Sequence, residues 1–218
     1  AAAPPALPEE DRVARLPGWS APLLSRVYSG YVDAGPPAPE DPQNVTQLME
    51  HYMLFEAEPG AEGAQPVIMW TNGGPGAPSL FGAFTELGPY YLTQQSLCTD
   101  GYRATGVPTL FANPFRWTRL GHLLIRNLPP PVGFSYCSPA GPAGDGYSCG
   151  AWNDTRMAEH SYRFMLEAFS SKLSGLIDGE QGPGLFLVGE SYAGLYVPML
   201  ARLILDRRGQ SARAERLP

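Results

Sequence analysis

The sequence lacks several features that would assign a function directly. None of its apolar runs approaches the roughly 20 residues that a membrane-spanning helix needs. Its net charge of −6 includes no basic stripe, which argues against nucleic acid or an anionic membrane surface as a partner. The histidines and cysteines show no metal-ligand spacing, and no phosphate loop or dinucleotide fingerprint is present. No cofactor or metal is therefore expected.

Cysteine is scarce as well. The three cysteines are Cys98, Cys137 and Cys149, and an odd number leaves at least one without a partner in this chain. The sequence alone assigns no disulfide. Two N-x-T sequons begin at Asn44 and Asn153, which makes both asparagines candidate glycosylation sites. Together these features favour a secretory or lumenal compartment, with chance sequons and free thiols as the alternative.

The chain has enough apolar sequence for one sizeable core, since 44% of its 218 residues are hydrophobic. Residues 1–25 are rich in alanine and proline and predict an irregular lead-in. Residues 26–208 contain the regular elements and form the predicted domain, and residues 209–218 predict an exposed tail. The 25 glycines and 24 prolines indicate many loops, concentrated in 93–118 and 127–152.

Short apolar runs alternate with helical patterns along the domain. The runs that predict strands are 26–32, 51–57, 66–71, 122–126 and 185–188. Because several lack a clear alternation of apolar and polar residues, they fit strands buried on both faces of a parallel or mixed sheet. The order strand, helix, strand, helix at the end of the chain is typical of an α/β layer fold.

Two helices are predicted in the second half. Apolar residues spaced by three or four predict a helix over 155–174, with its N-cap at 153, 154 or 155 and a stop at Gly175. A second helix is predicted over 199–208, because Pro198 suits a first turn, where no amide donor is needed.

A single serine stands between the last strand-like run and this helix. In GLFLVGESYAGLYVP (184–198), Gly189 precedes Ser191 by two residues, and Ala193 and Gly194 follow it. Small residues on both sides suit a tight strand-to-helix turn that raises a nucleophile above the sheet. This variant of G-x-S-x-G is a weak signal alone, and an ordinary glycine-rich turn is the alternative.

A second glycine cluster follows an earlier strand. In PVIMWTNGGPG (66–76), Gly73 and Gly74 come directly after the apolar run. Such a bend can present backbone N–H groups to a developing oxyanion, together with the amide that follows the nucleophile, here Tyr192. The bend alone could be a turn or an anion nest. The two motifs in this order predict an acyl-transfer site.

These stretches are similar to those of the serine carboxypeptidase family of α/β-hydrolases. The resemblance extends in order to SGYVDA (29–34), HYMLFEAE (51–58), ELGPYYL (86–92), NPFRW (113–117), VGFSY (132–136) and the helix containing AEHSYRFMLEAF. It implies an α/β-hydrolase fold with a mixed, mostly parallel sheet flanked by helices and incomplete at its C-terminal side. The chain departs from the family pattern at Ala77-Pro78-Ser79 and Leu128-Pro129-Pro130-Pro131.

The resemblance also implies a role for each site residue. Ser191 would be the nucleophile, and the amides of Gly74 and Tyr192 would form the oxyanion hole. The C-terminal carboxylate of a peptide substrate would be bound by Asn72, Gly73 and Glu190, with Trp70 as support. Glu190 can donate a hydrogen bond to a carboxylate only while it keeps its proton, which favours an acidic vacuolar, lysosomal or secreted setting.

The base that such a serine needs is missing. Only two acids, Asp206 and Glu215, and no histidine follow Ser191, whereas this fold class places the acid and then the histidine after the serine. We expect His51, His122 and His160 to be structural. A second chain or a missing C-terminal half would carry the acid and the histidine. Without it, the strand before Ser191 is a bare sheet edge, which we expect to pair with a further strand.

Three origins of this incompleteness stay open: a proteolytic subunit, a truncated product and a noncatalytic protein. Three functions stay open as well. The leading hypothesis is a serine carboxypeptidase that is inactive as this chain alone. The alternatives are a carboxypeptidase-like acyltransferase and a pseudoenzyme that binds peptide C-termini.

Overall fold

A computed structural model describes residues 7–34, 41, 44–59, 65–176, 184–211, 214 and 217. Its strands are β1 (Val27–Asp33), β2 (Gln47–Phe55), β3 (Val67–Thr71), β4 (Tyr90–Tyr91), β5 (Phe111–Ala112), β6 (His122–Arg126), β7 (Tyr136–Ser138) and β8 (Leu185–Gly189). Its α-helices are α1 (Leu80–Thr85), α2 (Asp100–Thr105), α3 (Asp154–Ser170) and α4 (Ala193–Arg207). Short 3₁₀ turns complete the described elements.

Six strands form one mixed sheet, in the order β1-β2-β6-β3-β8, with β7 paired to β2. The pairs β1–β2, β2–β6 and β2–β7 are antiparallel, whereas β3 pairs in parallel with both β6 and β8. β4 and β5 form a separate two-stranded ribbon. All five strands predicted from the sequence are present. The short strands β5 and β7 lie inside the segments predicted to be loops, and β4 lies just before the first of them.

Both faces of the sheet are covered. On one face α3 and α4 pack over a core that includes Tyr52, Met69, Leu124, Phe164 and Met165. On the other face α1 and the lead-in cover a second core that includes Leu16, Phe55, Trp70, Ala83 and Ile125. Side chains alternate between the two faces of a strand, and both faces are covered here. β3 is therefore buried at every position and contributes to both cores. This confirms an α/β layer architecture.

The boundaries of the two late helices differ from the predicted ones. α3 ends at Ser170, not at 174, because the Ser171 hydroxyl donates to the Glu167 carbonyl (2.5 Å) and the Leu173 amide turns back to Ala168 (2.8 Å). α4 begins at Ala193, so Pro198 lies inside the helix and not in front of it. The helix follows the serine turn directly, and the amide that proline lacks falls only in its second turn.

The cysteines form one disulfide, Cys137–Cys149, across a separation of 12 residues, and Cys98 is free and exposed. The expectation of an unpaired cysteine is thus confirmed, although the pairing itself was not assigned from the sequence. None of the helices in the described part is long and apolar enough to cross a membrane.

Candidate active site

The site begins at the turn between β8 and α4. Ser191 has φ of 55°, and it is the one residue other than glycine with positive φ among the described residues. This left-handed backbone is strained by about 1–2 kcal/mol, and it aims the serine away from the strand. Gly189 makes the turn sterically possible, because a Cβ there would lie 2.6 Å from Ala193 Cβ and 2.7 Å from the Thr71 carbonyl oxygen. Ser191 is exposed.

The glycine bend after β3 lies directly against this turn. A Cβ placed on Gly73 would be 2.5 Å from the Tyr192 amide nitrogen and 3.1 Å from Ser191 Cβ. The Glu190 amide donates to the Thr71 carbonyl (3.3 Å), which extends the pairing of β3 with β8 up to the serine. Gly74 follows with φ of 111° and is exposed. The structure therefore brings together the two motifs that lie about 120 residues apart.

Asn72 links the bend to the turn through its side chain. Its Oδ1 accepts from Trp70 Nε1 (2.8 Å) and from the Gly82 amide (3.2 Å), and its Nδ2 donates to Glu190 Oε1 (2.7 Å). Asn72 is buried and Glu190 is exposed. Three hydrogen bonds fix both ends of this amide, so the Glu190 carboxyl is held beside the bend.

Glu86 is a further member of this cluster. Its pKa is raised above the ordinary value, first by burial and then by the neighbouring charge of Glu190, while a hydrogen bond from Asn72 partly opposes the rise. The Glu86 carboxyl therefore keeps its proton to a higher pH than an isolated glutamate does. The sequence reasoning missed Glu86. Its signal was its place in ELGPYYL, a stretch that counted toward the resemblance but received no role.

A family model described as serine carboxypeptidase matches residues 17–216 of this chain. The chain belongs to the serine carboxypeptidase family.

Several relatives in this family match nearly the whole chain. Serine carboxypeptidase-like 36 of Arabidopsis thaliana is 33% identical over 211 residues, which cover 95% of this chain and 36% of the relative. Serine carboxypeptidase-like 42 of the same plant is 36% identical, covering 94% and 37%. The lysosomal protective protein of Mus musculus is 33% identical, covering 92% and 35%. The chain thus spans little more than a third of the length of these relatives.

A solved structure shows the same fold. It is Kex1(delta)p, a prohormone-processing carboxypeptidase from Saccharomyces cerevisiae, with a TM-score of 0.66 and 24% sequence identity. The match covers 87% of this chain and 36% of that one. The predicted α/β-hydrolase type of fold is thereby confirmed.

The three histidines of this carboxypeptidase-family chain are bound elsewhere. His51 Nε2 lies 2.9 Å from Ser29 Oγ, and its Nδ1 lies 2.7 Å from Asn127 Nδ2. His122 Nδ1 accepts from the Ala57 amide (3.2 Å), and His160 Nε2 lies 2.7 Å from Glu50 Oε2. Burial lowers the pKa of all three imidazoles, that of His51 to about 4.

Of the two acids that follow Ser191, the structure describes only Asp206. Asp206 accepts from Arg202 Nε (2.6 Å) one turn away on α4, and both side chains are exposed. Glu215 lies outside the described residues. In the described part of the chain, no histidine is hydrogen-bonded to Ser191, and no residue takes the place of the base.

Both sequon asparagines are exposed. Asn44 lies in a turn that leads into β2. Asn153 is the N-cap of α3, where its Oδ1 accepts from the Arg156 amide (2.9 Å). This confirms one of the three predicted cap positions, and it leaves the amide nitrogen of Asn153 outside the capping hydrogen bond.

Proposed function

We propose that residues 26–208 are the N-terminal part of the catalytic domain of a serine carboxypeptidase in which Ser191 is the acylating nucleophile. The observation that carries this proposal is the contact between the Gly73 bend and the Ser191 turn. The amides of Gly74 and Tyr192 are then the donors to the oxyanion that forms on the scissile carbonyl. Gly74 is exposed and free of a side chain, so its amide can be approached by substrate.

The cluster around Asn72 is the proposed site for the carboxylate of the C-terminal substrate residue. The proposed wall of this site consists of Asn72, Gly73 and Glu190. Trp70 fixes the orientation of Asn72 through its hydrogen bond, and Glu86 is hydrogen-bonded to the same side chain. A raised pKa keeps the Glu86 carboxyl protonated to a higher pH than usual, and a protonated carboxyl can donate to a carboxylate. Substrate binding should therefore weaken as the pH rises and the Glu86 carboxyl loses its proton.

The triad acid and histidine are proposed to come from a partner region, either a second chain or a further segment. β8 supports this, because within the described part it pairs only with β3, and Phe186 on it is 55% exposed. By contrast, β3 has a partner on each side and is buried throughout. A strand added next to β8 would cover Phe186 and satisfy the free backbone groups of the edge.

Peptides with a free C-terminal carboxylate are the proposed substrates. The proposed location is the secretory pathway, in a vacuolar, lysosomal or secreted compartment. The disulfide, the two sequons and the similarity to the mouse lysosomal protective protein support this location. Asn44 and Asn153 are the proposed glycan sites.

The test is covalent labelling of Ser191. The protein is tagged, expressed in its own host, purified with any chain that accompanies it and treated with a fluorophosphonate. We expect the adduct on the tryptic peptide that contains Ser191, and none in Ser191→Ala. Release of single C-terminal residues from a blocked dipeptide should disappear with the labelling. A preparation that cleaves the dipeptide while Ser191 stays unmodified would disprove the assignment.

A noncatalytic role is the second candidate, because no histidine follows Ser191 in this chain. The Asn72 cluster would then bind peptide C-termini without cleaving them. Titration of the purified chain with a peptide and with its C-terminally amidated twin separates the outcomes. Tighter binding of the free carboxylate without any turnover or labelling would support this role, and equal binding of both peptides would remove it.

A further inference from the structure

A cleft opens beside Tyr192, separate from the Asn72 cluster. Its volume is about 370 Å³, within the range of small-ligand sites. The walls are mostly apolar. They come from the bend after Gly73, the loop 129–132, Gly146, the start of α3 and the start of α4. The side chains that matter here are Pro75, Pro130, Trp152, Met157 and Tyr196. Neither Asn72 nor Glu190 lines it.

The proposed path of a peptide substrate leads past this cleft. A peptide whose carboxylate lies at the Asn72 cluster and whose scissile carbonyl lies at the Tyr192 amide must continue away from that cluster. The residues before the scissile bond therefore pass the Tyr192 side of the turn. Because Tyr192 itself lines the cleft, the cleft is within reach of their side chains.

Asp154 is the one charged side chain among the described residues that line the cleft. Its Oδ1 accepts from the Tyr192 hydroxyl (3.0 Å), which fixes the carboxylate close to the serine turn. None of the ion pairs in the described part of the chain includes Asp154. By contrast, Glu50 and Glu159 are each bound by an arginine. Asp154 thus has no cationic partner among the described residues.

We propose that this cleft binds the arginine or lysine side chain of a substrate residue upstream of the scissile bond, with Asp154 as its specificity-determining residue. The apolar walls suit the methylene stem of such a side chain, and the carboxylate suits its cationic end. The claim that the bound side chain belongs to a peptide substrate rests on the proposed function, whereas the preference of the cleft for a cation does not.

A competing explanation assigns Asp154 to its helix alone. Asp154 is the first residue of α3, where a negative charge interacts favourably with the helix dipole. That role needs the carboxylate but needs no ligand. The two explanations differ in one respect: only the proposed site discriminates between a cationic side chain and a neutral one of the same shape.

The test is binding to the purified chain, which requires no catalysis. The probes are N-acetyl-arginine amide and its neutral isostere N-acetyl-citrulline amide, titrated by NMR with the Trp152 indole N–H as reporter. Neither probe has a carboxylate, so neither occupies the Asn72 cluster, and a failure here is distinct from a failure of the carboxypeptidase assignment. We expect the arginine probe to bind about three- to fivefold more tightly.

Two variants complete the experiment. Asp154→Asn retains an oxygen that can accept from Tyr192, and it should bring the ratio of the two affinities close to one. Asp145→Asn removes the same charge from an exposed nearby loop, and it should leave the ratio unchanged. Equal binding of both probes by the unmodified chain would overturn the proposal, and this comparison needs no variant. A ratio that survives Asp154→Asn would overturn it as well.

Discussion

At the scale of single residues, the site depends on two glycines, which have no Cβ. Gly189 and Gly73 leave space for a serine in a left-handed conformation, and each would clash with backbone if it had a Cβ. Ser191 is strained, so its surroundings must hold it there. The strain is offset by the pairing of β3 with β8, which continues to Glu190.

Replacement of Gly73 by alanine should therefore damage the site and the fold together. The added methyl group would lie 2.5 Å from the Tyr192 amide nitrogen and 2.8 Å from the Glu190 carbonyl oxygen, so backbone must move. We expect the free energy of unfolding to fall by about 1–3 kcal/mol, as in other overpacked sites, and labelling of Ser191 to decrease. Urea unfolding followed by tryptophan fluorescence measures the first effect.

Gly101 provides the matched control for this substitution. It is exposed on α2, and a Cβ there would meet nothing closer than Thr109 Oγ1 at 3.4 Å. Gly101→Ala should leave stability unchanged or raise it by up to about 1 kcal/mol, because alanine has the better helix propensity. A Gly73→Ala variant as stable as Gly101→Ala would show that the bend is not packed against the turn.

At this scale, a structural feature could be predicted from the sequence where all of its residues lie in one short stretch. The turn at Ser191 was predictable because its strand, glycines and helix are consecutive. Glu86 was not, since its meaning depends on Asn72 and Glu190, which reach it only through the folded sheet. The roles of Asn72, Gly74 and Tyr192 stay predictions, because geometry places these residues without demonstrating their chemistry.

At the scale of elements, the positions of the five predicted strands followed from apolar runs, whereas the end of α3 and the start of α4 did not. A run such as VIMWT is buried on both faces and has few alternatives to a central strand. The end of α3 is decided by Ser171, whose hydroxyl takes the carbonyl of Glu167 before Gly175 is reached. The start of α4 is decided by the serine turn, whereas proline statistics favoured a later start.

The N-terminus of α3 combines a cap and a sequon in one residue, and substitutions can separate them. Asn153→Gln should remove both the proposed glycan and the N-cap, lowering the free energy of unfolding by about 1 kcal/mol. Thr155→Ala should remove the glycan and keep the cap, because Asn153 Oδ1 still accepts from Arg156. Unfolding is compared after enzymatic removal of glycans.

Glycopeptide mass spectrometry of protein secreted by eukaryotic cells provides the occupancy. We expect glycans on Asn44 and Asn153, and on Asn44 alone in both variants. An unmodified Asn153 in the wild-type protein would contradict the proposed glycan site, whereas equal stability of the two variants would contradict the role of the cap.

At the scale of the whole molecule, the histidines are hydrogen-bonded within the fold and not at the serine turn. All three histidines lie within the described fold and away from the serine, and burial lowers the pKa of each. The sequence predicted structural histidines, because His51 and His122 lie in strand-like runs and His160 lies in an amphipathic helix, but it could not show their degree of burial. The burial of His51, for example, depends on contacts between β1, β2 and the 127–135 loop, which are distant in sequence.

His51 should make the stability of the chain depend on pH. It is 5% exposed, and burial lowers its pKa from 6.5 to about 4, while the nearby charge of Glu50 only partly opposes this. Between these values the unfolded chain binds a proton that the folded chain does not, so stability is present above pH 6.5 and is lost as the pH falls toward 4. We expect a loss of about 2 kcal/mol between pH 7 and pH 5 from this residue.

Urea unfolding at a series of pH values, at constant ionic strength, measures this dependence. His51→Gln has no proton to gain in that range, so its slope between pH 7 and pH 5 should be shallower than that of the wild type. His122 and His160 also have lowered pKa values and should preserve a residual slope of the same sign. A wild-type chain that gains stability on acidification, or a variant with an unchanged slope, would show that His51 is not buried in its neutral form. Since an acidic compartment is proposed for this protein, the loss expected from His51 would make the isolated chain less stable there than at pH 7.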